Sequence, residues 1–153
     1  MDNGFESKMP LRVELGPFEQ LFLGKSVLTN YHDRTMFVIE GDIPVLRARD
    51  VLSPNLAVSS VEKLYYCVQQ MYLEEDMGNL SYLALARKTI SENSNLGGEI
   101  QTALQLIARG QHYKALQGLK KLLRPEKFAV SKNKPAGYAP SVASGAPPSL
   151  DPA

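Results

Sequence analysis

Two different spacings of hydrophobic residues divide the chain. In its first third, apolar residues form short runs, and Leu11, Val13 and Leu15 alternate with Arg12 and Glu14. A period of two places successive side chains on opposite faces of an extended chain, so this segment is predicted to be a strand with one apolar face. Pairs that contain glycine separate this run from the next ones and predict turns.

Three further runs continue the pattern. Residues 21–23 and 26–29 flank Gly24 and Lys25, which is the arrangement of a β-hairpin. Residues 34–40 are rich in β-branched and aromatic side chains and give the strongest strand prediction. These runs together predict a small antiparallel β region.

The apolar spacing changes to a helical period after Pro54. Ser59 and Glu62 have the spacing of a capping box, in which two otherwise unpaired N–H groups at a helix start are satisfied. Gly110 suits the position just after a helix, and Arg124 precedes the helix-breaking Pro125. Four amphipathic helices are predicted, over about residues 60–76, 80–93, 100–108 and 113–123.

The predicted fold class is α+β, with a small N-terminal antiparallel β unit followed by a bundle of about four helices. Residues 9–54 are predicted to form the β-rich unit, and residues 55–125 are predicted to form the helical unit. Residues 1–8 are polar and are predicted to be a flexible extension. Residues 126–153 are rich in Pro, Ala, Ser, Gly and Lys, and we predict a disordered tail because they bury too little apolar surface.

Composition and motifs argue against catalysis. The chain has 153 residues, a net charge of +1 and a single cysteine, Cys67. His32 and His112 lie far apart in the sequence, and neither belongs to a metal-binding or catalytic spacing. We therefore expect no enzyme activity, no cofactor and no metal. The chain lacks a signal-peptide pattern and an apolar run near the ~20 residues that span a bilayer, so we expect a cytoplasmic protein without membrane contact.

Basic residues concentrate near the end of the helical unit. Only Glu126 opposes them, and they are Arg109, Lys114, Lys120, Lys121, Arg124, Lys127, Lys132 and Lys134. Along the fourth predicted helix, Lys114, Gln117, Lys121 and Arg124 fall on one stripe away from the leucines. Two interpretations stay open at this point. The stripe is either a solvated face whose cations favour the helix C-terminus, or a surface that contacts phosphates.

A second basic feature follows the strand signal at Pro44. Residues 47–52 are compatible with a continued strand or with a helical turn. If the chain is still extended there, Arg47 and Arg49 leave the same face and form a short basic fork suited to phosphates or a guanine edge. Alternatively, Asp50 ties one arginine into a surface salt bridge. Arg12 and Arg34 are further candidates for contacts with single-stranded RNA at a sheet edge.

Four segments resemble the FlbT family, the flagellar biosynthesis repressors of alphaproteobacteria. They are residues 9–24 (MPLRVELGPFEQLFLG), 34–52 (RTMFVIEGDIPVLRARDVL), 65–73 (YYCVQQMYL) and 110–116 (GQHYKAL). The resemblance covers about residues 9–124, in order and with matching spacing. The chain departs from the family at Phe18, where the family typically has glycine, and this change affects the geometry of the turn.

The resemblance implies a post-transcriptional repressor that associates with the 5′ untranslated leader of flagellin mRNA and controls its translation and decay. It also implies a FlaF-type protein and flagellin as partners. The β unit is more weakly similar to CsrA-type RNA-binding regulators, which pair into strand-exchanged dimers and bind RNA through arginine near the last strand. Either Arg47 or Arg49 matches that position.

Two hypotheses of function follow. The first is an RNA-level repressor with Arg12, Arg34, Arg47, Arg49, Lys114, Lys121 and Arg124 as RNA-binding residues. The second is an adaptor or chaperone-like module that binds flagellin or a FlaF-type partner, with Tyr66 and Tyr82 outside the main apolar stripes offering a groove. We also predict a homodimer through the β unit, because a sheet of some forty residues has exposed edges and little core.

Overall fold

The computed structural model describes residues 10–128. The predicted N-terminal extension and residues 129–153 of the predicted tail lie outside the described residues. The described chain confirms an N-terminal antiparallel β region followed by four helices. The strands are β1 (Leu11–Leu15), β2 (Gln20–Leu23), β3 (Ser26–Thr29), β4 (Thr35–Ile39) and β5 (Val45–Arg47). The helices are α1 (Ser60–Glu74), α2 (Ser81–Glu92), α3 (Gly97–Ala108) and α4 (His112–Lys120).

The strands form two antiparallel sheets. In the first sheet β1 pairs with β4, with Val13 opposite Phe37 at its centre. In the second sheet β2 lies between β3 and β5, and Leu21 is opposite Arg47. The predicted hairpin between β2 and β3 is present, and Gly24 turns it with a φ of 59°, a conformation that favours glycine.

Local signals mark the start of α1 and the end of α3. The Ser59 side chain accepts the N–H of Glu62, and the Glu62 carboxylate accepts the N–H of Ser59, so the predicted capping box starts α1. Gly110 follows α3 with a φ of 79°. Helix α4 ends at Lys120, earlier than predicted, and a turn and the short 3₁₀ segment Pro125–Lys127 follow it.

The described chain forms two compact units. The first unit contains residues 10–20 and 29–41, and therefore strands β1 and β4. The second unit contains residues 21–28 and 42–128, and therefore nearly all of the second sheet and the four helices. Whether residues 9–54 act as a separate RNA-binding unit stays a prediction.

A polar side chain occupies the centre of the first unit. Asn30 is 5% exposed, and its amide donates hydrogen bonds to the carbonyls of Leu15 (2.8 Å), Gly16 (3.2 Å) and Asp33 (2.9 Å). Its Oδ1 accepts the N–H of His32 at 3.0 Å. Asn30 therefore joins the end of β1 to the turn before β4, a role that the sequence analysis missed.

The second unit encloses an apolar core. Its largest fully buried side chains include Tyr65, Leu64, Met71, Ile100, Leu116 and Leu119. Helix α1 packs on α2 and α4, and α3 packs on α4. Gln69 of α1 is buried and bonds both backbone groups of Leu52, accepting the N–H at 2.8 Å and donating to the carbonyl at 3.1 Å.

The described core extends beyond residue 125, the predicted end of the helical unit. Phe128 is buried, forms an antiparallel bridge with Leu52 and meets the Tyr65 ring edge-on at 5.2 Å between centroids. Residues 126–128 therefore belong to the packed structure, because an aromatic side chain at position 128 completes the core beside α1.

Candidate nucleic-acid interface

Two of the seven predicted RNA-binding residues lie in the first unit. Arg12 is exposed on β1, and Arg34 is exposed immediately before β4. The Arg34 guanidinium lies 3.8 Å from the Glu14 carboxylate, and both side chains are about half exposed. A β-carbon on Gly16 would come within 2.8 Å of the same guanidinium, so the glycine leaves room for it. Arg34 is therefore partly neutralised, whereas Arg12 has no ion-pair partner within residues 10–128.

The fork predicted for Arg47 and Arg49 is not formed. Strand β5 ends at Arg47, and Ala48–Asp50 turns into a 3₁₀ helix. Of the two structures that the sequence left open, the helical turn is the one observed. Arg49 is exposed and Arg47 is half-buried, so the two guanidinium groups do not leave one face of an extended strand.

Asp50 fixes this turn through contacts with distant residues. Its carboxylate accepts the Lys120 ammonium at 2.7 Å, and its backbone carbonyl accepts the Tyr65 hydroxyl. The predicted alternative, in which Asp50 pairs with an arginine, is therefore wrong, because Lys120 occupies the carboxylate. Burial, followed by the negative charge of Asp50, raises the pKa of the Tyr65 hydroxyl, so this group remains a hydrogen-bond donor.

The same ion pair brings the Ala48–Asp50 turn to the C-terminal end of α4. Lys114, Lys121 and Arg124 are all exposed, as the predicted stripe requires. Arg124 lies beyond α4 with an extended backbone, so helical spacing does not fix its direction. Within residues 10–128, Arg47, Arg49, Lys121 and Arg124 have no carboxylate partner. We use the name turn–helix basic patch for these four residues and Lys114, which are distributed over the 47–50 turn, α4 and the segment that follows it.

Two other basic residues of this region have structural roles instead. Lys120 binds Asp50, and its ammonium lies 4.9 Å from the centre of the Phe128 ring. Lys127 binds the Glu62 carboxylate at 3.3 Å and the Leu56 carbonyl at 3.1 Å. The basic run is therefore divided into cations that hold the fold and cations that face solvent. Sequence spacing gives no signal for this division, because the acidic partners lie far away in the chain.

The surroundings of the Glu62 carboxylate lower its pKa. Burial disfavours its charge, but the N–H groups of Ser59 and Val58 and the Lys127 ammonium outweigh this effect and lower its pKa. Glu62 is therefore ionised in the folded protein and joins the start of α1 to the segment before Phe128.

The two histidines and the acidic residues are the candidates for a metal site. Groups of three or more His, Cys, Asp or Glu side chains that could hold a metal ion are absent from residues 10–128. His112 is buried at the start of α4, and neither of its ring nitrogens has a hydrogen-bond partner there. His32 is exposed in the other unit. None of the described helices is long and apolar enough to cross a membrane.

Two open grooves lie on the second unit. One, of about 430 Å³, is lined mainly by residues of the β2–β3 hairpin, the segment 51–54 and α1, including Phe22, Val27 and Tyr66. The other, of about 580 Å³, lies between α3 and α4 and includes Leu106, Leu122 and Lys121. Tyr66 thus lines a groove as predicted, but Tyr82 is only 8% exposed and belongs to the core instead.

Comparison with known proteins decides the family. A family model described as "Flagellar protein FlbT" matches residues 11–130, which includes both units. The chain belongs to the FlbT family. No solved structure matches it, so the weaker likeness of the β region to CsrA-type regulators rests on sequence alone.

Curated FlbT relatives cover most of the chain. A protein of Rhodopseudomonas palustris named "Probable flagellum biosynthesis repressor protein FlbT" is 40% identical over 81% of this chain and all of its own length. A Bradyrhizobium diazoefficiens relative with the same description, numbered 1, is 34% identical over 77% of this chain and 83% of its own. The "Flagellum biosynthesis repressor protein FlbT" of Caulobacter vibrioides is 28% identical over 77% of this chain and 87% of its own.

Phe18 is the position at which the sequence analysis predicts a departure from the FlbT pattern. Its φ is 64°, a left-handed conformation that glycine adopts at little cost and other residues rarely adopt. The turn therefore keeps the geometry that suits glycine, although a phenylalanine occupies it. The Phe18 ring lies edge-on to Tyr31, with 5.7 Å between centroids, and this contact offsets part of the strain.

Proposed function

We propose that this protein is a post-transcriptional repressor of flagellin synthesis in flagellum biogenesis. It associates in the cytoplasm with the 5′ untranslated leader of flagellin mRNA and blocks translation or promotes decay of the message. The observation that carries the proposal is membership of the FlbT family, whose curated relatives are named flagellum biosynthesis repressors. The protein itself does no chemistry on the RNA, and decay requires a separate nuclease.

The turn–helix basic patch is the surface that we assign to the RNA. Arg49, Lys114, Lys121 and Arg124 are exposed and Arg47 is half-buried. None of the five has a carboxylate partner among the described residues, so phosphates do not have to displace an existing ion pair. The Asp50 ion pair and the Tyr65 hydroxyl hold Arg49 on a fixed turn, which reduces the ordering cost of binding. Exposed arginine on a rigid turn suits bidentate contact with a phosphate or a guanine edge.

Arg12 and Arg34 form a second candidate contact in the first unit. Glu14 offsets the charge of Arg34, so this pair offers less net attraction for phosphates than the turn–helix basic patch. We propose that Arg12 and Arg34 extend the contact along the leader and do not anchor it.

Alanine variants test the assignment. Arg49→Ala, alone and with Arg47→Ala, is compared with Lys114→Ala combined with Lys121→Ala, by fluorescence anisotropy on labelled flagellin leader RNA. We expect a loss of roughly tenfold or more for each arginine that makes a specific contact. The lysine pair mainly lowers the salt dependence, by about 0.7 per lost contact in the slope of log K against log salt.

Lys88→Ala supplies the matched control, because Lys88 is exposed on α2 outside the patch. Circular dichroism of the double arginine variant checks the fold, since Arg47 is half-buried. If both arginine variants bind the leader as tightly as the unchanged protein, the assigned surface is wrong.

An adaptor that binds flagellin or a FlaF-type partner is the second candidate function. The two grooves favour it, because each presents apolar side chains at the surface of the helical part. Tyr66→Ala in the first groove and Leu106→Ala in the second would then weaken partner capture while leaving leader binding intact. Salt separates the two functions, since binding in an apolar groove changes little where RNA binding falls steeply.

A further inference from the structure

Strand β4 has an apolar edge that pairs with no other strand among residues 10–128. Its one partner there is β1, so the first sheet has only two strands. A two-stranded sheet is marginally stable alone, and an open edge is a template for another strand. Met36 and Val38 are 55% and 53% exposed on this strand, and neither lysine nor proline protects the edge.

The charges around β4 are arranged symmetrically. Arg34 lies three residues before Phe37, and Glu40 lies three residues after it. If two copies of β4 run antiparallel about a two-fold axis at Phe37, Arg34 of each copy is directly opposite Glu40 of the other. In the same register Met36 is opposite Val38 on the same face. Both charged side chains are exposed. Arg34 lies 3.8 Å from Glu14 of its own chain, a solvent-exposed pair, and Glu40 has no ion-pair partner within the described residues.

We propose that β4 pairs with β4 of a second copy of this chain in that register, which gives a four-stranded sheet in the order β1-β4-β4-β1. The interface is isologous, with an apolar centre of Met36 and Val38 from both copies and an Arg34–Glu40 pair at each end. The proposal specifies the homodimer predicted from the β region, and it does not depend on RNA binding.

Strand β1 is the poorer edge for this contact. If two copies of β1 paired antiparallel about a two-fold axis at Val13, Arg12 of each copy would also lie opposite Glu14 of the other. However, Val13 and Leu15 are buried, and the Leu15 carbonyl already accepts the Asn30 amide. Strand β4 instead exposes its apolar side chains between the two unlike charges, so it fits a second copy better.

A charge exchange tests both the edge and the register. Light scattering with size-exclusion chromatography, without RNA, measures the mass of the full chain at tens of micromolar. Arg34→Glu or Glu40→Arg places like charges together at both ends of the interface, and we expect the dimer dissociation constant to rise about tenfold or more. Combining both changes restores unlike pairs and is expected to restore the dimer. Arg87→Glu on α2 is the control for adding a negative charge elsewhere.

Disulfide cross-linking tests the register independently. In a Cys67→Ser background, chains with Met36→Cys are mixed with chains with Val38→Cys and oxidised. Directly opposite residues have Cα atoms about 4.5–5.5 Å apart, within the range of a disulfide. We expect the mixture to cross-link efficiently and each variant alone to cross-link poorly.

A monomer at these concentrations would overturn the proposal. So would a dimer whose dissociation constant is unchanged by both single exchanges and whose cysteine variants do not cross-link. Circular dichroism recognises a single exchange that unfolds the chain. In that case the double exchange and the cross-linking decide whether β4 pairs with β4 in the proposed register. Because no RNA is present, these results are separate from leader binding: a dimer that fails to bind the leader contradicts only the proposed function.

Discussion

The two units of this protein are stabilised in different ways. Among the described residues of the first unit, Val13 and Leu15 are the large hydrophobic side chains that are buried, and the buried amide of Asn30 connects the end of β1 to the turn before β4. The second unit encloses a core contributed by all four helices and closed by Phe128. A unit with little apolar core depends on a few polar contacts, and within residues 10–128 one edge of its strand β4 pairs with no other strand. A unit with a large core can tolerate charged and apolar surface for binding.

The largest expected effect comes from removing the polar centre of the first unit. Asn30→Ala removes the buried amide that donates to the carbonyls of Leu15, Gly16 and Asp33 and accepts the N–H of His32. The Glu19 N–H still reaches the Gly16 carbonyl and the Thr35 hydroxyl still reaches the Asp33 carbonyl, so we expect a loss of about 2–3 kcal/mol in the free energy of unfolding. Chemical denaturation measures it, and hydrogen exchange should show that β1 and β4 lose protection before the helices do.

Asn79→Ala is the matched control. The Asn79 side chain accepts one exposed hydrogen bond, from the N–H of Ser81 at 2.9 Å, so its removal should cost only about 0.5–1 kcal/mol. Equal effects of the two substitutions would contradict the central role of Asn30.

The strained turn of the first unit gives a smaller effect. Phe18→Ala removes the contact with Tyr31 and keeps a β-carbon at a φ of 64°. Phe18→Gly removes the same contact but suits this conformation. We expect the glycine variant to be more stable than the alanine variant by about 1 kcal/mol, measured by denaturant unfolding. An alanine variant as stable as the glycine variant would show that the turn adopts another conformation.

Local sequence signals predicted the elements well, but they did not predict the contacts between distant residues. The capping box of α1 and the hairpin at Gly24 lie within a few residues, so their patterns are readable directly. The helical turn at residues 48–50 is held by Tyr65 and by Lys120, which is 70 residues from Asp50. No spacing in the sequence reveals the Asp50–Lys120 pair. This pair explains why Arg47 and Arg49 do not form a fork and why Lys120 has a structural role while neighbouring cations face solvent.

The Asp50–Lys120 pair can be measured in the second unit by a double-mutant cycle. Both side chains are partly exposed, so we expect a coupling free energy of only about 1 kcal/mol between Asp50→Asn and Lys120→Met. The same variants should weaken leader binding less than Arg49→Ala does, because they loosen the turn without removing a patch cation. Additive effects in the cycle would mean that the pair does not position the turn.

The smallest effect concerns acid stability. The pKa of Glu62 is lowered in the folded state, so the stability that its charge contributes is present above the unfolded pKa and is lost as the pH falls through the folded pKa. The destabilisation caused by Glu62→Gln should therefore be largest at neutral pH and shrink below about pH 4, near the unfolded pKa of glutamate. An equal destabilisation by Glu62→Gln at neutral pH and below about pH 4 would contradict a lowered pKa of Glu62 in the folded state.

The central claim is that this FlbT-family protein acts by binding flagellin mRNA itself. The most direct measurement is the affinity of the purified full chain for the flagellin 5′ leader and for a shuffled RNA of equal length, across a range of salt concentrations. We expect a clear preference for the leader and a linear fall of log K with log salt. Equal binding of both RNAs, or none to either, would contradict direct recognition and would favour the adaptor function.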